Sequence, residues 1–177
     1  MKKSTIFLDR DGVINELVAR DGGFFSPRKF SDFQIFDFVP EVLKKLKEQG
    51  FLLVVVTNQP DIARGFLEKS ELSMMTSEVL RIGVDRVYIC PHDNQDSCSC
   101  RKPLPGLIFQ AAEDLNIDLT TSWLVGDRQT DIQAGLASGL RCILTTSSES
   151  SDLPQVEGEY WTASNLQDSC SLILPET

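Results

Sequence analysis

Residues 5–12 read Thr5-Ile6-Phe7-Leu8-Asp9-Arg10-Asp11-Gly12, and this stretch decides the fold. A short apolar, β-branched run stops at two carboxylates that flank an arginine. A strand ending this way puts acidic side chains at an open sheet edge. Four later runs have the same character: LLVVV (52–56), RVYI (86–89), SWLV (122–125) and RCIL (141–144). Apolar residues in them do not alternate with polar ones, as befits strands buried on both faces.

Helical patterns lie between these runs. Pro40 suits a first helical turn and Gly50 a stop, so 40–49 is predicted helical. Ser70 is predicted to cap a second helix that Gly83 ends. Residues 105–115 and 131–138 give two more, the last stopped by Gly139. A short strand and a helix are expected within 160–174. Regular β–α alternation predicts an α/β fold: a three-layer, doubly wound parallel sheet in one domain spanning 1–177.

Each strand ends in polar residues. Asp9 and Asp11 follow the first, Thr57, Asn58 and Gln59 the second, Cys90 and His92 the third, and Gly126, Asp127 and Arg128 the fourth. Ligands bind open α/β sheets at the carboxyl edge, where strand order reverses. A strand order of 3-2-1-4-5 would bring Asp9, Asp11 and Asp127 together, with Thr57 arriving from the second strand. Three converging carboxylates repel unless neutralised. Hard oxygen donors of this kind suit Mg²⁺ shared with a phosphate. An EF-hand is excluded: Gly12 is fourth in its run, not sixth, and a strand precedes it.

The chain has 177 residues, a net charge of -9 and a pI near 4.6. Such a surface repels nucleic acid and anionic membranes. No apolar run approaches the ~20 residues of a membrane span. The opening MKKSTIFLDR has too short an apolar stretch for a secretory leader. A cytoplasmic location is expected, where the five cysteines would be free thiols or metal ligands.

Three of those cysteines and the one histidine fall together as Cys90-x-His92-x5-Cys98-x-Cys100. Three thiolates and an imidazole complete a closed tetrahedral Zn²⁺ site, which is structural because no position remains open. The loop runs directly into Arg101-Lys102, so the metal would position both. Cys142 and Cys170 are expected to be free and buried.

Asp9-Arg10-Asp11-Gly12, Thr57-Asn58, Lys102 and Gly126-Asp127 with Asp131 resemble, in order, the four motifs of the haloacid dehalogenase-like (HAD) superfamily of phosphohydrolases. The resemblance implies a Rossmann-like HAD fold and a phosphatase mechanism. Asp9 would be the nucleophile that forms an aspartyl-phosphate. Asp11 would be the general acid and base, which calls for a pKa above the ordinary ~3.9. Asp9, the Asp11 backbone carbonyl and Asp127 would hold Mg²⁺. Thr57 and Lys102 would bind the transferring phosphoryl group, and Asp131 would orient Lys102 or a metal-bound water. Ile14 stands where the family often has threonine.

The cysteine-histidine loop ending in CRKP resembles one branch, the heptose 1,7-bisphosphate 7-phosphatases and the histidinol-phosphate phosphatases. DRDGVIN, VVVTNQ, IARG and FFSPRKF look like the heptose enzymes, while the short x5 gap looks like the histidinol enzymes. A non-catalytic phosphate-binding module is the reading from another class. Arg10, Arg64, Arg101, Lys102 and Arg128 fall in the motif segments and supply local positive charge for an anion; Asn58, Arg101 and Arg128 are the substrate-binding candidates.

Chain between Thr57 and the third strand leaves no room for a large cap. Residues 15–38 are the remaining cover. Their phenylalanines (Phe24, Phe25, Phe30, Phe33, Phe36 and Phe38) are expected to pack core and loops. The resulting expectation is a monomeric, Mg²⁺-dependent phosphatase of a small sugar phosphate, with heptose 1,7-bisphosphate first.

Overall fold

The apolar runs become one parallel sheet, and four of them are mostly buried. RVYI, expected to be covered on both faces, forms the edge strand and is buried only at its end, because no strand among the described residues pairs with its outer side. The computed structural model describes residues 2–146 and 156–174. In chain order the elements are β1 (Thr5–Leu8), β2 (Val18–Arg20), β3 (Gly23–Phe25), α1 (Val39–Glu48), β4 (Leu52–Asn58), α2 (Lys69–Arg81) and β5 (Arg86–Cys90). There follow α3 (Gly106–Leu115), β6 (Trp123–Gly126), α4 (Gln129–Ala137), β7 (Arg141–Thr145), β8 (Trp161–Ala163) and α5 (Leu166–Ile173). The sheet order is β5-β4-β1-β6-β7-β8, with every pairing parallel. Its five long-predicted strands therefore run 3-2-1-4-5, and β8 extends the far edge. Most of the Ser-rich tract after residue 144 lies outside the described residues.

Successive strand residues point to opposite faces. Ile6 and Leu8 pack with Val42, Leu43 and Leu46 of α1 and with Leu166, Cys170 and Ile173 of α5. Phe7 packs on the other side with Leu107, Ile108 and Ala111 of α3 and Ile132 and Ala134 of α4. Register fixes the functional edge. Leu8 lies opposite Val55 on one flank and Val125 on the other. Asp9 continues the ladder by donating its N–H to the Val125 carbonyl at 2.9 Å. One step beyond, Thr57 and Asp127 emerge on its two sides.

Local boundaries shift for identifiable reasons. β4 runs on to Asn58 because Thr57 and Asn58 pair with Ile89 and Cys90. Glu68 occupies the N-cap of α2, and Ser70 lies inside the first turn, its hydroxyl turned to Glu68. α4 starts at Gln129, two residues early, because the Asp131 carboxylate accepts the Arg128 N–H at 2.9 Å and closes the first turn.

The segment 15–38 divides in two. Phe33, Phe36 and Phe38 pack against the core. Phe24 and Phe25, by contrast, stand half exposed on a β2–β3 hairpin. Asp21 and Gly22 form its turn, with φ of 51° and 77°. An Asp-Gly pair with both φ positive is the two-residue turn that matches strand twist. Among the described residues no cap domain covers the sheet edge, and no helix is long and apolar enough to cross a membrane. Cys142 and Cys170 are buried and unbridged.

Gly135 lets α4 lie close on β7: a Cβ there would fall 2.4 Å from Cys142 Sγ. Gly135→Ala should therefore lower stability by about 1–3 kcal/mol despite the better helix propensity of alanine. Adding Cys142→Ala should recover much of that loss. Thermal melting of the single and double variants checks both; a Gly135→Ala protein as stable as the parent would mean the contact relaxes freely.

Candidate active site

At the carboxyl edge, acids from two segments meet one buried ammonium. Lys102 is 4% exposed, and its Nζ contacts Asp9 Oδ1 at 2.7 Å, Asp131 Oδ1 at 2.5 Å and the Val56 carbonyl at 2.7 Å. Burial opposes its charge, but Asp131 and Asp9 outweigh that and raise its pKa. The carboxylates of Asp9, Asp127 and Asp131 each offer an oxygen to a common point, all within 4.8 Å of one another. Burial pushes Asp9 up to about 6, with Asp131 and Asp11 adding repulsion and Lys102 opposing. Burial and then Asp9 and Asp131 drive Asp127 well above the carboxylate range. Part of Asp127 remains open, but its Oδ1 is buried and meets no hydrogen-bond donor. Such an orphaned oxygen beside two other carboxylates fits a hard divalent cation.

Two glycines allow this crowding. A Cβ on Gly12 would lie 2.3 Å from Asp127 Oδ2, and its φ of 85° also favours glycine. A Cβ on Gly126 would lie 2.3 Å from the Asp131 Cβ. Each glycine thus makes room for an acid from a different loop.

Asp11 corrects one expectation. Its carboxylate is 4% exposed and gripped from several sides. Arg10 donates Nε to Oδ1 and Nη2 to Oδ2, both at 3.0 Å, Asn15 donates at 3.0 Å and Gln59 at 2.8 Å. Burial alone would raise its pKa. Arg10 and hydrogen bonds from Asn15, Gln59 and Ser26 overcome burial, and the pKa lies below the ordinary value, not above it. Arg10 is itself 1% exposed and lies over the Phe33 ring at 5.5 Å.

Thr57 is buried at the end of β4, and its hydroxyl accepts from Gln59 at 3.0 Å. Asn58 uses both ends of its amide on Lys102: Nδ2 donates to the Lys102 carbonyl at 3.0 Å, and Oδ1 accepts the Lys102 N–H at 3.1 Å. Gln59, which joins Asp11 to Thr57, was legible only as one of the polar residues after a strand. Nothing in its spacing marks it as the link.

Cys90, His92, Cys98 and Cys100 form the second cluster, their donor atoms also within 4.8 Å of one another. Cys90 Sγ lies 3.8 Å from Cys98 Sγ and 3.0 Å from Cys100 Sγ, and His92 Nδ1 lies 3.2 Å from Cys100 Sγ. A zinc tetrahedron with bonds of about 2.3 Å has S···S edges of about 3.8 Å, which the Cys90–Cys98 separation matches while Cys90 and Cys100 stand closer together. Burial and the neighbouring thiols lift Cys90 to about 12. Arg101 extends from this loop, Nε on Asn94 Oδ1 at 2.8 Å and Nη1 on the His92 carbonyl at 3.2 Å.

These parts frame a cavity of about 700 Å³, with Asp9, Asp11 and Lys102 in its lining. Arg101, Arg128 and Asn58 also line it. Buried carboxylates at the base and several arginines around them give a polar site whose charges suit a phosphorylated small molecule.

Relatives agree with that geometry. Residues 99–169 match the HAD-hydrolase-like family. The D-glycero-beta-D-manno-heptose-1,7-bisphosphate 7-phosphatase of Yersinia pestis is 39% identical, over 76% of this chain and 76% of its own. The enzyme of that name from Escherichia coli K12 is 34% identical, over 92% of this chain and 90% of its own. A crystal structure of D,D-heptose 1,7-bisphosphate phosphatase from B. bronchiseptica, complexed with magnesium and phosphate, superposes with a TM-score of 0.80 at 28% identity, covering 98% of this chain and 99% of that one. Fold and site thus define a phosphatase of the HAD-like hydrolases. Within that class, the chain belongs to the D-glycero-β-D-manno-heptose-1,7-bisphosphate 7-phosphatase family.

The raised acids set a pH dependence. With no divalent cation added, folded Asp9 keeps a proton that the unfolded chain has already lost, and Asp127 acts in the same sense. Stability should fall as pH rises from about 4 through about 6. Asp11 works oppositely, its contribution vanishing only as pH drops below about 4. Asp127→Asn should then raise the melting temperature at pH 7 by about 2–4 °C per kcal/mol relieved, and by less at pH 5. Melts at both values check this; an equal gain at both would remove the charge explanation.

Proposed function

We propose that this chain removes the 7-phosphate of D-glycero-β-D-manno-heptose 1,7-bisphosphate through an aspartyl-phosphate on Asp9. One observation carries the reading: a buried carboxylate, Asp9, held by Lys102 at 2.7 Å beside the unpartnered Asp127 oxygen. Ionised, the three carboxylates and one ammonium leave two negative charges, the complement of one divalent cation. Asp9, Asp127 and the Asp11 backbone carbonyl are the residues that would hold Mg²⁺. Bound there, the ion would offset carboxylate charge and polarise phosphoryl oxygens.

The chain's own residues supply the rest. An Asp9 oxygen attacks phosphorus as the bond to the sugar oxygen breaks, and protonated Asp11 gives that oxygen its proton. Water then attacks the same phosphorus, Asp11 takes the proton back, and Asp9 is released. An arriving phosphoryl dianion repels the Asp11 charge and lifts its pKa from the low resting value toward that of a proton donor. Lys102 holds negative charge on the phosphoryl group, and Thr57 adds its hydroxyl. Asn58 fixes the backbone that carries Lys102. Asp131 orients the lysine from behind. Arg101 and Arg128 meet the part of the substrate beyond the cleaved bond.

Zn²⁺ on Cys90, His92, Cys98 and Cys100 would be structural, holding Arg101 and Lys102 at the cavity. The reading extends to a monomeric cytoplasmic enzyme. The names of the relatives favour the heptose substrate over histidinol phosphate, despite the short x5 gap.

Phosphate release from a panel of heptose 1,7-bisphosphate, histidinol phosphate and simple sugar phosphates tests the substrate. Preference for histidinol phosphate would replace it, and no release from any ester would leave a binding module. Asp9→Asn should lower turnover by about four decades or more while phosphate still binds. Near-parental turnover would remove the covalent route. Cys98→Ser should lose zinc by elemental analysis and melt at lower temperature, since such a site contributes roughly 10–16 kcal/mol of binding. An unchanged melt with no metal in either protein would show that the loop holds itself.

A further inference from the structure

Besides Arg128 at the start of α4, four arginines, Arg20, Arg28, Arg64 and Arg101, line the cavity. They differ in whether their charge is already matched. Arg28 donates Nε to Asp61 at 2.6 Å. Arg64 contacts both oxygens of Asp93, at 2.8 and 2.5 Å, and reaches Asp61 at 3.5 Å. Two carboxylates thus neutralise two guanidiniums. Arg101 hydrogen-bonds only neutral acceptors, the Asn94 side chain and the His92 carbonyl, and feels Asp93 only at a distance, without an ion pair. Arg20 meets no carboxylate among the described residues; its guanidinium lies over the face of Phe25, 4.9 Å from the ring centre.

The hairpin places Arg20 by construction. It is the last residue of β2, paired with Gly23 across the Asp21-Gly22 turn. A Cβ on Gly23 would fall 3.0 Å from the Phe25 ring, so glycine there lets the ring lie against the strand. That ring in turn stiffens the arginine above it while leaving its N–H groups unused. A planar donor fork, unpaired and facing a polar cavity, suits a phosphate. One such cation arrives from the hairpin and another from the cysteine-histidine loop. A phosphate dianion takes two.

We propose that Arg20 is a specificity-determining residue that binds, with Arg101, the phosphate that is not cleaved, so that the hairpin selects bisphosphates over monophosphates. This rests on the phosphatase reading above. Arg20 plays no part in bond breaking, so its effect falls on substrate binding. It depends on the presence of the second phosphate.

The test compares a bisphosphate with a monophosphate. Arg20→Ala should reduce kcat/KM for heptose 1,7-bisphosphate about 10-fold or more, through KM, with kcat nearly unchanged. Hydrolysis of p-nitrophenyl phosphate, which lacks a second phosphate, should be unaffected. Arg20→Lys should recover part of the loss, and Phe25→Ala should shift the same ratio in the same direction by less. Equal losses on both substrates, fading with added salt, would show only general attraction of anions and overturn the proposal. So would an unchanged ratio. Should the parent enzyme ignore heptose 1,7-bisphosphate, the substrate reading falls separately. Inhibition of p-nitrophenyl phosphate hydrolysis by fructose 1,6-bisphosphate and fructose 6-phosphate then decides Arg20. The parent should bind the bisphosphate more tightly and Arg20→Ala should erase the difference; no preference in the parent, or one that survives in the variant, overturns it.

Discussion

The ammonium of Lys102 holds the functional edge together. It joins Asp9 at the end of β1 to Asp131 in the first turn of α4, and it also satisfies the Val56 carbonyl of β4. Without it, buried carboxylates from two segments would face each other with nothing to offset them. With it, the edge remains short of positive charge, and the shortfall collects at Asp127. A protein with a net charge of -9 thus still presents local positive charge, since one lysine and five arginines line the cavity at this edge.

Placing that lysine falls to an irregular loop, not to a strand or helix. Lys102 follows the cysteine-histidine cluster by two residues, and its backbone is clasped by Asn58 through both N–H and carbonyl. The cysteine-histidine cluster lies at one end of this stretch, and Asn58 at the end of β4 ties the lysine to the sheet. The hairpin offers a second cover of different make. It is built by turn chemistry and a glycine-seated aromatic ring, and it carries an arginine that no carboxylate pairs with among the described residues.

Much of this was legible because the signals are local. Runs such as LLVVV have no polar alternation, so they had to be covered on both faces, and the parallel layers followed. Helix stops at Gly50, Gly83 and Gly139 were readable because each sits at positive φ, where other residues are strained. Ser70 misled because a capping side chain says nothing about which neighbour the turn begins from; Glu68 took the place. The β2–β3 hairpin had its signal in Asp21-Gly22. The density of phenylalanines over residues 15–38 suggests packing, yet Phe24, Phe25 and Phe30 are exposed.

By itself the sequence determined which chemistries the chain could carry: carboxylates at strand ends, four soft donors in eleven residues, a lysine directly after them. Those are matters of residue type and near spacing. Only the tertiary structure decided how each group is charged. Asp11 reads as a residue with a raised pKa until Arg10, Asn15 and Gln59 are seen around it, and the five arginines of the cavity look alike until Asp61 and Asp93 neutralise two of them. Charge depends on distance and burial, and residues 33 positions apart, such as Arg28 and Asp61, acquire both only when the chain has folded.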